Sequence, residues 1–412
     1  MGTLLDKPVT EKETESETGP GGIEFGVSAM QGWRVDMEDA HTIISNVEGL
    51  EGHSFVAVYD GHGGALCAAY AGENMMRHIR ETAEFVEYAG SAVKDTAILE
   101  KALYAAFLSC DKSVKASQDN NADGDRSGST AVASFVTPTH VVLAHAGDSR
   151  AVLASGKKVV ATEDHKPYND GERARIEKAG GVVSMKRVDG DLAVSRALGD
   201  FQYKDDDLKP EECKVSPAPE TQSVLRSGQD EFLIVACDGI WDVISNEDCA
   251  QAVREIFEEG ESDLGLACEE ILDMCLFEGS RDNMSAVLVA FPGLKRDNKG
   301  EGVKGRRAQR AAEDSEVIYV HVDTYRVATP GGGGAWGQRA DIGVLSFFPS
   351  WQINEGQGGC GVERMCGGTN TYITQKIYIY IYLGGGGGAQ GAVSRGVGED
   401  SYNVMSDLVE KL

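Results

Sequence analysis

The chain has 412 residues, with 39 Lys plus Arg against 66 Asp plus Glu and a formal net charge of −27. At 41% hydrophobic residues it can bury a core without disulfide or metal staples, which sets it apart from disordered chains. A pI near 4.7 argues against a general nucleic-acid binder, whose footprint is basic. It leaves room for an anion site, because carboxylates can hold metal ions that invert the local charge.

In chain order, residues 1–21 read as an acidic, mobile arm without the features of a signal peptide. A compact unit over 22–293 follows. Its first strand is expected at Ile23–Ala29 and its second at Ser54–Tyr59, which runs into Asp60-Gly61-His62-Gly63-Gly64. Helical periodicity spans Ala65–Arg80 and Thr96–Lys115. Thr130–Val160 reads as a meander with turns at Thr137-Pro138 and Ser155-Gly156 and with Gly147-Asp148 inside it. Helices are expected at Gly171–Ala179, Glu247–Glu258 and Leu264–Phe277, and strands at Phe232–Cys237 and Met284–Phe291. Hairpins with helices before and between them indicate an α+β fold in layers. Residues 294–412 read as a basic linker and a low-complexity tail, mostly disordered. The tail holds 20 of the 51 glycines and a β-prone stretch, Ile377–Tyr382. The basic run between Lys295 and Arg310 suits a solvated linker and could also act as a nuclear-import signal.

Nine cysteines lie singly and form no CxxC pair. With no apolar run long enough to span a membrane, they point to a reducing, cytoplasmic location. The acids carry the most information. Asp60, Asp148, Asp238 and Asp282 each abut a hydrophobic strand, and Glu38-Asp39 follows the first strand by a short loop. Gathered at one end of a core, these five motifs with their six carboxyls would repel one another unless hard divalent cations joined them. An all-oxygen set selects magnesium, manganese or calcium. His62, held between glycines beside Asp60, is placed for proton transfer. Arg34, four residues before Glu38, could bind a phosphate dianion through two hydrogen bonds. Neither a Walker A motif nor GxSxG is present.

Eight motifs in order carry a family resemblance: Gln31–Asp39, Asp60–Gly64, Ser127–Thr130, Ala146–Arg150, Asp164–Pro167, Leu192–Asp200, Asp238–Asp242 and Gly279–Ser285. Together they resemble the metal-dependent protein serine/threonine phosphatases of type 2C, most closely the animal alpha and beta forms. The resemblance implies a four-layer sandwich of two antiparallel β-sheets flanked by α-helices. It implies a pair of Mn2+ or Mg2+ ions at one end, with hydrolysis of phosphoserine and phosphothreonine by in-line attack of a water bridging them. Carried over by motif, Asp60 would bridge both ions, the Gly61 carbonyl would bind one, and Asp238 and Asp282 would complete the other. Glu38 and Asp39 would support the centre, and Asp148 with Asp238 would hold a third, weaker ion. Arg34 would bind the phosphate and His62 would protonate the leaving oxygen. Lys166–Val188 would form a flap beside the site.

Phosphoprotein substrates and a monomeric state are expected, with no nucleic-acid partner and no transmembrane segment. Gly2 could carry a myristoyl chain for weak membrane contact, although Asp6 stands where the simple pattern wants Ser or Thr. Two other readings are a catalytically inactive scaffold that kept the fold for binding and a hydrolase of small phosphate esters. The scaffold is disfavoured because no expected ligand is lost.

Overall fold

The computed structural model describes residues 4–119, 124–296, 300–315, 319–326 and 375–382. Contacts divide the chain into two compact units, Met1–Gly305 and Arg306–Leu412.

The first unit begins with β1 (Leu4–Thr18), β2 (Glu24–Arg34), β3 (Ala40–Ile44), β4 (Ser54–Tyr59) and the two-residue β5 (Gly61–His62). Three helices follow: α1 (Leu66–Glu81), α2 (Ala83–Gly90) and α3 (Thr96–Asp119). Next come β6 (Gly128–Ser129), β7 (Ala131–Val136), β8 (His140–Ala146), β9 (Arg150–Ser155) and β10 (Lys158–Ala161). The segment expected to form a flap, Lys166–Val188, holds α4 (Asp170–Lys178), β11 (Val183–Ser184) and β12 (Arg187–Val188), and β13 (Leu198–Gly199) lies beyond it. The rest is β14 (Glu220–Leu225), β15 (Asp230–Ala236), the short α5 (Asp238–Trp241), α6 (Asn246–Glu258), α7 (Leu264–Phe277), β16 (Met284–Ala290) and the first turn of α8 (Gly302–Ser315), whose remainder is counted with the second unit. In the second unit β17 (Tyr319–Arg326) pairs antiparallel with β18 (Gln375–Tyr382).

One sheet has the order β1-β2-β16-β15-β9-β10 and the other β14-β8-β7-β4-β3, all antiparallel. Strand alternation explains the layering, because successive side chains leave opposite faces. Val56 and Val58 of β4 meet Leu233, Val235, Val287 and Val289 between the sheets. Phe55, Ala57 and Tyr59 face Met75, Leu99, Leu103 and Phe107 of the helices on that side. Phe232, Ile234 and Leu288 face Val253, Phe257, Ile271 and Leu272 on the other. Strands buried on both faces are why these runs are continuously apolar. Helix, sheet, sheet, helix is the expected four-layer α+β sandwich. Side-chain caps start three of the helices: Thr82 Oγ1 accepts from Phe85 N, Ser245 Oγ from Asp248 N and Asp263 Oδ1 from Leu266 N. No described helix is long and apolar enough to cross a membrane.

Three expectations are corrected. The supposed mobile arm is an edge strand over Leu4–Thr18. It has no apolar face and is held instead by polar contacts: Lys12 with Asp273 at 2.6 Å, Thr14 with Ser28 at 3.1 Å and Ser16 with Asp263 at 2.6 Å. The supposed linker forms α8, whose Val303 is buried in the core beside α6 and α7 while its N–H bonds to Glu261 Oε2, so the compact unit runs past 293. The supposed meander breaks at Gly147-Asp148, where the chain leaves one sheet at β8 and enters the other at β9. Gly2, Cys360, Cys366 and the glycine runs at 331–334 and 384–388 lie outside the described residues.

Candidate metal centre

The pairings bring the ends of several strands to one end of the sandwich. The C-terminal ends of β4 and β8 lie beside the start of β7, where Val58 pairs with Val132 and Ala146 with Ala131. In the other sheet Arg150, Ala236, Ala286 and Ser28 are neighbours across four strands. Asp60, Asp148, Asp238 and Asp282 sit in the residues just beyond these ends.

Asp60 follows β4, held by Thr130 N donating to its carbonyl at 2.9 Å. Burial first, and then the charges of Asp238, Asp39, Asp148 and Asp282, push its carboxyl far above the usual range. Asp238 opens α5 and is pushed up in the same way, by burial and by Asp148, Asp282 and Asp242. Asp39 accepts from Ser285 Oγ at 2.7 Å through Oδ2, while its buried Oδ1 has no hydrogen-bond partner. Burial raises its carboxyl to about 7. Glu38 Oε1 accepts from Gly64 N at 2.5 Å, and Glu38 N donates to Asn283 Oδ1 at 3.0 Å. A side chain at Gly61 would collide with the Glu38 carbonyl, so this approach requires glycine.

Two cations already stand among these acids. Arg34 Nη2 meets Asp282 Oδ2 at 2.5 Å, and Lys166 Nζ meets Asp148 Oδ2 at 2.5 Å. Burial works to lower the Lys166 ammonium, but Asp148 overrides it and holds the group protonated well above its usual range. The Arg34 turn is tied by Gln31, whose Nε2 donates to the carbonyls of Arg34 and Val35. Ligand atoms of Asp39, Asp60 and Cys237 lie within 4.8 Å of one another. Cys237 Sγ accepts from Ser285 N and donates to Asn283 O, and burial pushes its thiol up, so sulfur stays protonated and the available donors are oxygens. Oxygen donors, net negative charge and an orphaned buried carboxylate oxygen fit a hard divalent cation.

Comparisons with known proteins give the family. The profile of the family described as Protein phosphatase 2C matches residues 23–284. The chain belongs to the protein phosphatase 2C family. As a member it is an enzyme, a protein-serine/threonine phosphatase. Protein phosphatase 1B of Mus musculus is 42% identical over 383 residues, covering 87% of this chain and 98% of that protein. Protein phosphatase 1A of Homo sapiens is 46% identical over 296 residues, covering 71% of this chain and 76% of that protein. Among solved structures, the serine-threonine phosphatase 2C from Toxoplasma gondii superposes with a TM-score of 0.59 at 22% identity, over 70% of this chain and 98% of that one, a likeness of fold.

Within this protein phosphatase 2C chain every expected site residue lies in or beside the acidic cluster, and the structure adds others. Asp242 is pushed up by burial and stands near Lys166, Asp148 and Asp282. Asn283 Nδ2 ties the carbonyls of Gln31 and Asp36 to the β16 end. His62 Nε2 meets Asp200 Oδ2 at 2.7 Å. Burial works to lower the imidazole, but Asp200 and, further off, Asp148 and Glu38 raise it. Asp200 closes a motif legible in the sequence, yet nothing in that motif announces a partner 138 residues away.

Proposed function

We propose that the chain hydrolyses phosphoserine and phosphothreonine esters of proteins with the help of two hard divalent ions, Mn2+ or Mg2+. Asp60, the Gly61 carbonyl, Asp238 and Asp282 would hold them, supported by Glu38 and Asp39, and Asp148 with Asp238 would take a third, weaker ion. The observation that carries this is the placing of Asp60, Asp148, Asp238 and Asp282 just beyond paired strand ends, beside a buried Asp39 oxygen with no hydrogen-bond partner. Such a cluster invites cations.

When bound, two such ions neutralise the phosphate and lower the pKa of a water close to phosphorus. The chain's own residues do the rest. Arg34 spends one nitrogen on Asp282 and keeps further donors for the phosphate oxygens. His62 gives a proton to the departing serine or threonine oxygen, a step worth ~10²–10⁴-fold for a poor leaving group. The flap beside the site meets the polypeptide around the phosphate. Seven described cysteines are free and buried, which suits a cytoplasmic or nuclear location, and a monomer suffices for the chemistry.

Phosphate release from a phosphothreonine peptide tests this. Release should depend on added Mn2+ or Mg2+ and stop on chelation. A folded protein that binds the peptide without hydrolysing it in either metal would leave the scaffold reading in its place. Turnover confined to small esters would favour the small-ester hydrolase.

A further inference from the structure

Three two-residue strands form a small sheet under the catalytic end, in the order β13-β6-β5. His62 pairs with Gly128, which pairs in turn with Gly199. A side chain at Gly128 would collide with both Asp200 Oδ2 and His62 Nε2. The middle strand therefore leaves open the space in which His62 of β5 and Asp200, the residue after β13, share a hydrogen bond. Asp200 is 2% exposed and takes a left-handed backbone with φ of 55°, a conformation that costs free energy for a residue with a side chain.

That conformation is braced from behind. Asp111, buried on α3, accepts through Oδ1 from Gly199 N at 2.9 Å and from Lys204 Nζ at 2.6 Å. The same ammonium donates to the Ala197 carbonyl at 2.9 Å, and Tyr203 N donates to the Asp200 carbonyl at 2.9 Å. A buried carboxylate on a mostly apolar helix face carries a desolvation cost, which its two donors offset. Both donors belong to the segment that carries Asp200.

We propose that Asp200 is a positioning residue for the leaving-group proton transfer. It engages His62 Nε2 so that Nδ1 is the nitrogen presented to substrate, and Asp111 holds Asp200 in place from α3. This rests on the phosphatase reading and assigns roles to residues that reading leaves unused. An imidazole free to rotate about its side-chain bonds would spend part of its time with no nitrogen toward the leaving oxygen. Fixing the ring removes that loss before substrate arrives.

The test compares two leaving groups. A phosphothreonine peptide expels an alkoxide that needs a proton, whereas nitrophenyl phosphate expels a phenolate that does not. Asp200→Asn should lower kcat on the peptide by ~10–100-fold, and by at least ~10-fold more than on nitrophenyl phosphate. In a His62→Gln background Asp200→Asn should add less than ~2-fold on the peptide, because both act through one group. Asp111→Asn, further from the ring, should show the same preference for the peptide at smaller size. It supplies the comparison should Asp200→Asn fold poorly. Equal losses on both substrates, full additivity with His62→Gln, or weakened Mn2+ binding by electron paramagnetic resonance would each overturn the assignment. The wild-type rates judge the phosphatase reading, and only the ratios between variants judge this one.

Discussion

Asp60 and Asp238 are held against their own charge by burial and by neighbouring acids. Removing either charge would relieve repulsion in the metal-free protein and, on the proposed assignment, deprive the ions of a ligand. Asp60→Asn and Asp238→Asn should each abolish turnover on both substrates and leave the metal-free melting temperature unchanged or raised by roughly 2–8 °C. Calorimetry with chelator beside a Mn2+-supported assay checks both halves, and a near-normal rate would refute the ligand assignment. In the proposed site Arg34 would have two duties, because beside binding phosphate it neutralises Asp282. Arg34→Ala should therefore raise KM for peptide and nitrophenyl phosphate alike. It should also lower, not raise, the metal-free melting temperature, opposite in sign to the aspartate variants.

At helix scale one carboxylate anchors α4 of the expected flap segment. Glu172 on α4 accepts from Arg196 Nη2 at 2.7 Å and from Ser195 Oγ at 2.5 Å, and pairs with Arg175 Nη1 at 2.7 Å. Arg175 continues to the carbonyls of Cys213 and Ser195. Burial alone would raise the Glu172 carboxyl, but Arg196, Arg175 and Ser195 overcome it and hold it down at about 2. An acid depressed on folding stabilises fully above its unfolded value, 4.5, and that stabilisation is lost as pH falls from there toward 2. Glu172→Gln should thus cost about 3 kcal/mol at pH 7, and the gap to wild type should narrow through this acid window. Urea midpoints at pH 7, 4.5 and 3 measure it, and a pH-independent gap would refute it. At the sandwich end, β1 contributes polar rather than apolar contacts, so deleting residues 1–18 should lower stability by ~1–3 kcal/mol without abolishing the fold. An unchanged denaturation midpoint would mean the strand adds nothing. The same contrast explains what could be read beforehand. Ser54–Tyr59 followed by Asp60 announces both a strand and its acid, because burial on two faces leaves an apolar run. Lys12–Thr18 hides a strand, because its inward contacts use an ammonium and hydroxyls. The His62–Asp200 pair was illegible because it depends on a left-handed backbone and on the missing side chain of Gly128, neither of which leaves a local pattern.

At the scale of the molecule, the compact unit ends later than the last recognisable motif. Gly302 N donates to the Glu259 carbonyl and Val303 N to Glu261 Oε2, and the Val303 side chain is buried. A chain ending after Ser315 should match the full chain in stability. One ending after Gly293 should stay active yet lose ~1–3 kcal/mol through the exposed apolar surface and the lost partner of Glu261. Equal midpoints for the two would show that α8 is dispensable. The pairing of β2 with β16 reaches further still. Arg34 and Asp282 are 248 positions apart, and β2 finds its central neighbour only in residues 284–290. Translation is slow beside local folding. The helices packed on β4 and β7 therefore have time to collapse on the ribosome while β1 and β2 wait as an unsupported hairpin. The constellation of acids closes only when nearly the whole unit has left the exit tunnel. A nascent chain stalled before Met284 therefore carries most of the enzyme's mass while still lacking the strand that β2 pairs with beside the acids.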